Sequence, residues 1–151
     1  MLTEKLKVKG RVTLLITHED GSTETFIRDN LVVSTGLAYI TSRMVGTTSP
    51  VISHMGIGET ATAPLAANVD LGSPTFRETT AVSIEDETVT DDSVEYTSTF
   101  AAGDGDGAIV EAGLFNSDSG GTMLSRVVFG LVTKTPTDAL TITWRITIAD
   151  S

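Results

Sequence analysis

Glu111 is the residue that most invites a chemical reading. It sits in Ile109-Val110-Glu111-Ala112-Gly113-Leu114-Phe115, a carboxylate among apolar neighbours. Such a group either turns to a wet face or pairs with a buried cation. Arg126 and Arg145, on the two following predicted strands, are candidate partners, as is Arg77. A structural ion pair is the expectation, ahead of a catalytic acid. The other groups that could do chemistry are few. His18 and His54 are the only histidines and Cys is absent, a poor donor set for a metal. His18 precedes a turn and reads as solvated; His54 reads as a partly buried polar residue of a short strand. Gly56-Ile57-Gly58 lacks the third glycine of a dinucleotide fingerprint and opens a loop, not a helix. There is neither a Gly-x-Ser-x-Gly elbow nor a phosphate-binding loop.

Two acidic stretches need the same scrutiny. Asp104-Gly105-Asp106-Gly107 has the beginning of a calcium loop, but Ala108 and Ile109 follow, and Glu111 arrives too early to close it. A flexible hairpin tip is expected there. Glu85, Asp86, Glu87, Asp91 and Asp92 read as a solvated acidic turn. A carboxylate pair for glycoside hydrolysis, built on Glu111 or Glu78, would want a cleft lined with aromatics. Aromatic residues make up only 5% of the chain. No catalytic residue, metal or cofactor is therefore assigned, and the chain is not expected to be an enzyme.

The elements that would position these residues are β-strands. Ala139 to Ala149 alternates strictly: Leu140, Ile142, Trp144, Ile146 and Ile148 on one face, Thr141, Thr143, Arg145 and Thr147 on the other. That is a strand with one dry and one wet face. The first strand does the same, with Leu6, Val8, Val12, Leu14 and Ile16 opposed to Lys5, Lys7, Lys9, Arg11 and Thr13. Residues 1–17 thus form a basic first strand or arm. Glu19-Asp20-Gly21-Ser22 predicts a hairpin into a second strand over Thr23–Val33. Ser34 or Thr35 can cap a short helix. Leu37, Ile40, Met44 and Val45 form its apolar stripe, and Gly46 ends it. Further strands are expected over Val51–Gly58, Thr75–Ile84, Val94–Phe100, Ala108–Phe115 and Met123–Thr133. Residues 59–74 show no period and read as a long surface loop, of a length that is usually functional or mobile. The total is about eight strands and one helix, the pattern of a single antiparallel β-sandwich or Greek-key barrel.

Composition narrows the function. The 151 residues suit one domain with a real core. The absence of Cys excludes disulfides and thiol chemistry. The formal charge of -10, with a pI of about 4.4, opposes direct nucleic-acid binding. No apolar run approaches the roughly 18 residues of a membrane span. The start of the chain has no apolar stretch of a secretory signal, consistent with synthesis in a cytoplasm.

Five segments occur in an order that resembles a known group. They are Met55-Gly56-Ile57-Gly58; Leu71-Gly72 followed by Phe76-Arg77; Ile109 to Phe115 as above; Met123-Leu124-Ser125-Arg126-Val127-Val128-Phe129; and Leu140-Thr141-Ile142-Thr143-Trp144. Over residues 30–149 the chain resembles small tailed-bacteriophage and prophage virion proteins. These are β-rich, often trimeric, and serve as capsid cement or decoration proteins or as tail-fibre and baseplate parts. The resemblance implies a non-catalytic virion protein, partnered by the major capsid protein or other virion proteins and by its own copies as a homotrimer. A tail-associated module touching the host surface is the alternative. Two contact regions are expected: the basic stripe Lys5, Lys7, Lys9 and Arg11, and the loop that includes Glu59, Thr60, Pro64 and Leu65.

Overall fold

The computed structural model describes residues 6–46 and 49–150. Along the chain come β1 (Leu6–Thr17), β2 (Thr23–Asp29), β3 (Leu31–Val32), α1 (Ser34–Met44), β4 (His54–Gly58), β5 (Pro74–Thr79), β6 (Ala81–Glu85), β7 (Ser93–Phe100), β8 (Gly107–Phe115), β9 (Met123–Lys134) and β10 (Ala139–Asp150). They build two antiparallel five-stranded sheets. The first has the order β2-β1-β10-β7-β6 and the second β3-β9-β8-β4-β5. The expected β-sandwich is the fold.

Alternation decides which side chains meet. Val12, Leu14 and Ile16 from β1 and Ile142 and Trp144 from β10 face Met55, Ile57, Ala112, Leu114 and Val127 of the opposite sheet, and all are buried. β10 occupies the centre of the first sheet, which is why its dry face is the most regular in the chain. β1 lies between β2 and β10, paired along its whole length with β10 from Leu6↔Asp150 to Thr17↔Ala139. The basic strand is therefore an interior strand of the sheet and not a detached arm. Lys5 lies outside the described residues.

Two expected strands are each divided between sheets. Thr23–Val33 breaks at Asn30: β2 stays in the first sheet and β3 joins β9 in the second. The Asn30 backbone N–H donates to the Gly10 carbonyl at 3.2 Å, and its side chain lies where a Cβ on Gly10 would stand. Thr75–Ile84 breaks at Thr80, whose N–H donates to the Ser53 carbonyl at 2.9 Å. A short polar run crosses each corner, Arg28-Asp29-Asn30 and Arg77-Glu78-Thr79-Thr80, without the Gly or Pro that usually marks a break; such sheet-switching corners are a regular device of packed sheets.

The helix differs from expectation in its buried face. Val33, not Ser34 or Thr35, occupies the capping position without a side-chain cap, while the Thr35 hydroxyl donates to the Met123 carbonyl at 2.9 Å. Gly36 is the buried residue, and Tyr39 and Ile40 pack on the core. Leu37, Met44 and Val45 of the expected stripe are exposed. The helix docks through its smallest residue because the β9 backbone comes so close. A Cβ on Gly36 would stand 1.9 Å from the Leu124 carbonyl oxygen. Alanine exceeds glycine in helix propensity by about 1 kcal/mol, so an undocked helix would gain from Gly36→Ala. Here the clash outweighs that gain, and urea unfolding of Gly36→Ala is expected to show lower stability than the parent protein.

Candidate functional site

The second sheet has an unusual outer face. Ile57 points into the core, so its neighbours Gly56 and Gly58 on β4 point outward, and Gly113 of β8 lies opposite Gly56. Together they form a floor without side chains. The loop of residues 59–73 crosses this floor as a strap. A Cβ on Gly58 would stand 2.5 Å from the Ser73 carbonyl oxygen, and one on Gly113 would stand 3.0 Å from the Leu71 side chain. Beneath the strap Val33, Leu71, Phe115 and Met123 make a second small apolar cluster. In the Gly56-Ile57-Gly58 motif, Gly58 thus serves close approach of the strap backbone and Gly56 leaves room for the Phe115 and Leu71 side chains.

Glu111 and Arg126 hold the strap down. They lie on adjacent strands and both are buried. Arg126 donates from Nε and Nη2 to Glu111 Oε2 at 2.9 and 2.8 Å. The same carboxylate accepts the N–H groups of Thr60 (3.3 Å), Gly72 (3.0 Å) and Ser73 (2.8 Å). Arg126 in turn donates to the Thr62 carbonyl at 3.0 Å and to Asn68 Oδ1 at 3.1 Å. Both ends and the middle of the strap are tied to one ion pair. Of the three candidate partners, Arg126 is the one Glu111 takes. Arg77 lies 3.6 Å above the centroid of the Phe115 ring, donates to the Ser117 and Gly120 carbonyls, and pairs with Asp70 at 3.6 Å. Arg145 pairs with Glu87 and Glu95. Five donors surround the Glu111 carboxylate, which leaves it no open lone pair to act as a general base. Glu78, the other carboxylate considered, accepts from the Thr79 N–H and hydroxyl.

Several of the other ionisable groups are also engaged locally. Asp92 accepts the N–H groups of Glu87, Thr88 and Val89, and Asp86 accepts that of Asp91. The Thr88 hydroxyl and these amides hold the Asp92 carboxyl well below the usual range. Asp106 receives Lys134, a fully buried lysine that also donates to the Ala101 carbonyl at 2.8 Å. No sequence pattern pointed to Lys134. No group of three or more metal-ligating side chains converges among the described residues. His54 is half-buried and hydrogen-bonded to Ser53.

His18 is not simply solvated. Its Nδ1 lies 3.0 Å from Asp138 Oδ1 and its Nε2 2.9 Å from Glu24 Oε2, which joins the β1–β2 hairpin to the turn before β10. Glu24 first and Asp138 second raise the imidazole above its ordinary value.

The two expected contact regions lie on opposite faces. Lys7, Lys9 and Arg11 are exposed on the outer face of the first sheet, where Lys9 and Arg11 line an open cleft of about 400 Å³ with Arg145, Asp29, Glu87 and Glu95. Glu59, Thr60, Pro64 and Leu65 lie in the strap on the far side; Thr60 and Pro64 are half-buried, whereas Glu59 and Leu65 are exposed. No helix among the described residues is long and apolar enough to cross a membrane. No family model, curated protein or solved structure matches the chain.

Two outcomes are expected. Removing one member of a buried pair typically destabilises by about 3–5 kcal/mol, so Glu111→Leu and Arg126→Met should each lose that much in urea unfolding. The double variant should lose less than their sum, because neither charge is then left alone. For His18 the folded value lies above the unfolded 6.5. Its contribution is fully present below that value and is lost as pH rises through the raised one. Thermal unfolding should therefore fall on passing from mildly acidic into alkaline buffer, and His18→Gln should flatten that part of the profile.

Proposed function

We propose that the chain is a non-catalytic structural protein of a tailed-phage virion, a cement or decoration protein that binds the assembled capsid shell. The supporting observation is a convergence. Gly58, Leu71, Gly72, Arg77, Glu111 and Arg126 come from four of the five segments that resemble phage virion proteins, and they meet at or beside the strap anchor. Residues that act together in space make a more specific likeness than separate strings. Glu111, the carboxylate that most invited a chemical reading, serves this anchor with Arg126, which suits a part selected for firmness. Exposed Leu65 and Val69 on the strap, together with the charged outer face opposite, leave two surfaces for neighbours. Binding only the assembled shell would stabilise that state by mass action, with the major capsid protein as partner.

The test is cryo-electron microscopy of particles from the phage or induced prophage whose genome encodes the chain. Density for the sandwich at regular positions on the shell is expected. Density on the tail alone would replace this reading with a fibre or baseplate module, and absence from the particle would overturn both.

A further inference from the structure

The outer face of the first sheet is open and carries charges of both signs. Its strand order places β10 in the middle, with β2 and β1 on one side and β7 and β6 on the other. Charge is sorted between β1 and β7, with one carboxylate, Asp29 of β2, beside Arg11 at the outer edge. The β1 side carries Lys7, Lys9 and Arg11, and among the described residues none of the three has an ion-pair partner. The β7 side carries Glu95, with Glu85 on β6 and Glu87 in the turn that follows it. The register sets Asp29, Arg11, Arg145 and Glu95 side by side in one row across β2, β1, β10 and β7. The next row toward the other end is Thr13, Thr143 and Thr97.

A lone anion or cation fits this face poorly. The cleft at its centre holds three cations, Lys9, Arg11 and Arg145, and three carboxylates, Asp29, Glu87 and Glu95. Its charge is balanced but lopsided, positive over β1 and negative over β7. The surface that complements such a dipolar face is the same face turned round. A two-fold axis running along β10, above the sheet, carries β1 of one copy over β7 of the other and leaves position along the strands unchanged. Arg11 of each copy then stands over Glu95 of the other, twice, and Thr13 stands over Thr97. Arg145 meets its own symmetry mate near the axis, but it arrives already neutralised between Glu87 at 2.9 Å and Glu95 at 2.7 Å.

We propose that this chain self-associates as a two-fold dimer through the outer face of the β2-β1-β10-β7-β6 sheet, with Arg11 of each copy paired to Glu95 of the other. Strand spacing and rise give a face about 20 Å by 20 Å. Roughly 1,000 Å² of accessible surface is then buried over both copies, the low end for a specific contact. The face is polar and charged, so the dimer is weak and salt-sensitive. Such a dimer is a different assembly from the homotrimer that the phage resemblance implies, and it stands whether or not the chain is found on a virion.

The experiment is sedimentation equilibrium on the full chain at low and high salt, with Arg11→Glu and Glu95→Arg variants alone and mixed. The parent protein is expected to be dimeric at low salt and to dissociate at high salt. Each variant alone sets like charges opposite one another and should dissociate at least tenfold more readily. An equimolar mixture of the two restores both opposite-charge pairs and should recover the dimer, which also shows that both variants are folded. A parent protein that stays monomeric or forms trimers at low salt would overturn the proposal. So would a dimer indifferent to both substitutions, or one not restored by mixing.

Discussion

The buried pair of Glu111 and Arg126 is the constraint on which this structure turns. Two charges taken out of water on the outer side of a sheet need every lone pair and proton occupied. The sheet alone cannot do that, and the strap of residues 59–73 supplies what is missing. Its N–H groups at Thr60, Gly72 and Ser73 complete the carboxylate, and the Thr62 carbonyl and Asn68 side chain complete the guanidinium. The dependence is mutual. Without the strap the pair would be half-satisfied; without the pair the strap would keep only Leu71, the Ser34 N–H bond to the Ala66 carbonyl and the Asp70–Arg77 contact to hold it to the sandwich. The glycine floor of Gly56, Gly58 and Gly113 is what lets the two come within hydrogen-bond range.

This arrangement gives the two outer faces different characters. The second sheet is covered by the strap, whose backbone lies over Gly58 and whose Leu71 side chain lies over Gly56 and Gly113, with Arg77 stacked on Phe115 at one end. The first sheet stays open, its centre filled by threonines and its charges sorted by strand. A chain with a net charge of -10 repels its own kind in general. It can still self-associate where a basic strand and an acidic strand are offered together, because local sorting outweighs a distant, screened excess. The proposed roles in shell binding and in dimer formation draw on these two faces separately.

Much of this was legible in the residues, and the limits have physical causes. Strict alternation gave β10, β1 and the sandwich, because burial on one face is written directly into period two. The environment of Glu111 was legible too: a carboxylate between apolar residues can end only in a few ways. Its choice of Arg126 over Arg77 and Arg145 depended on strand register, which no local pattern carries. The corners at Asn30 and Thr80 were hidden because neither holds a Gly or Pro, and a short polar run there reads as part of one continuous strand. The helix misled because its apolar stripe suggested the buried side, while the true constraint was the space that only Gly36 leaves. The strap looked like a free excursion because its anchors are backbone N–H groups, identical at every residue. The links of His18 to Asp138 and of Lys134 to Asp106 span long or folded-back separations and left no mark in sequence.

Native-state hydrogen exchange resolved by residue tests the central claim most directly. If one ion pair fastens the strap as part of the fold, the amides of Thr60, Gly72 and Ser73 exchange at rates close to those of the β8 and β9 interior, although they belong to a connection between strands. Exchange of those three amides at the rates of an unprotected loop, while β8 and β9 stay protected, would contradict it.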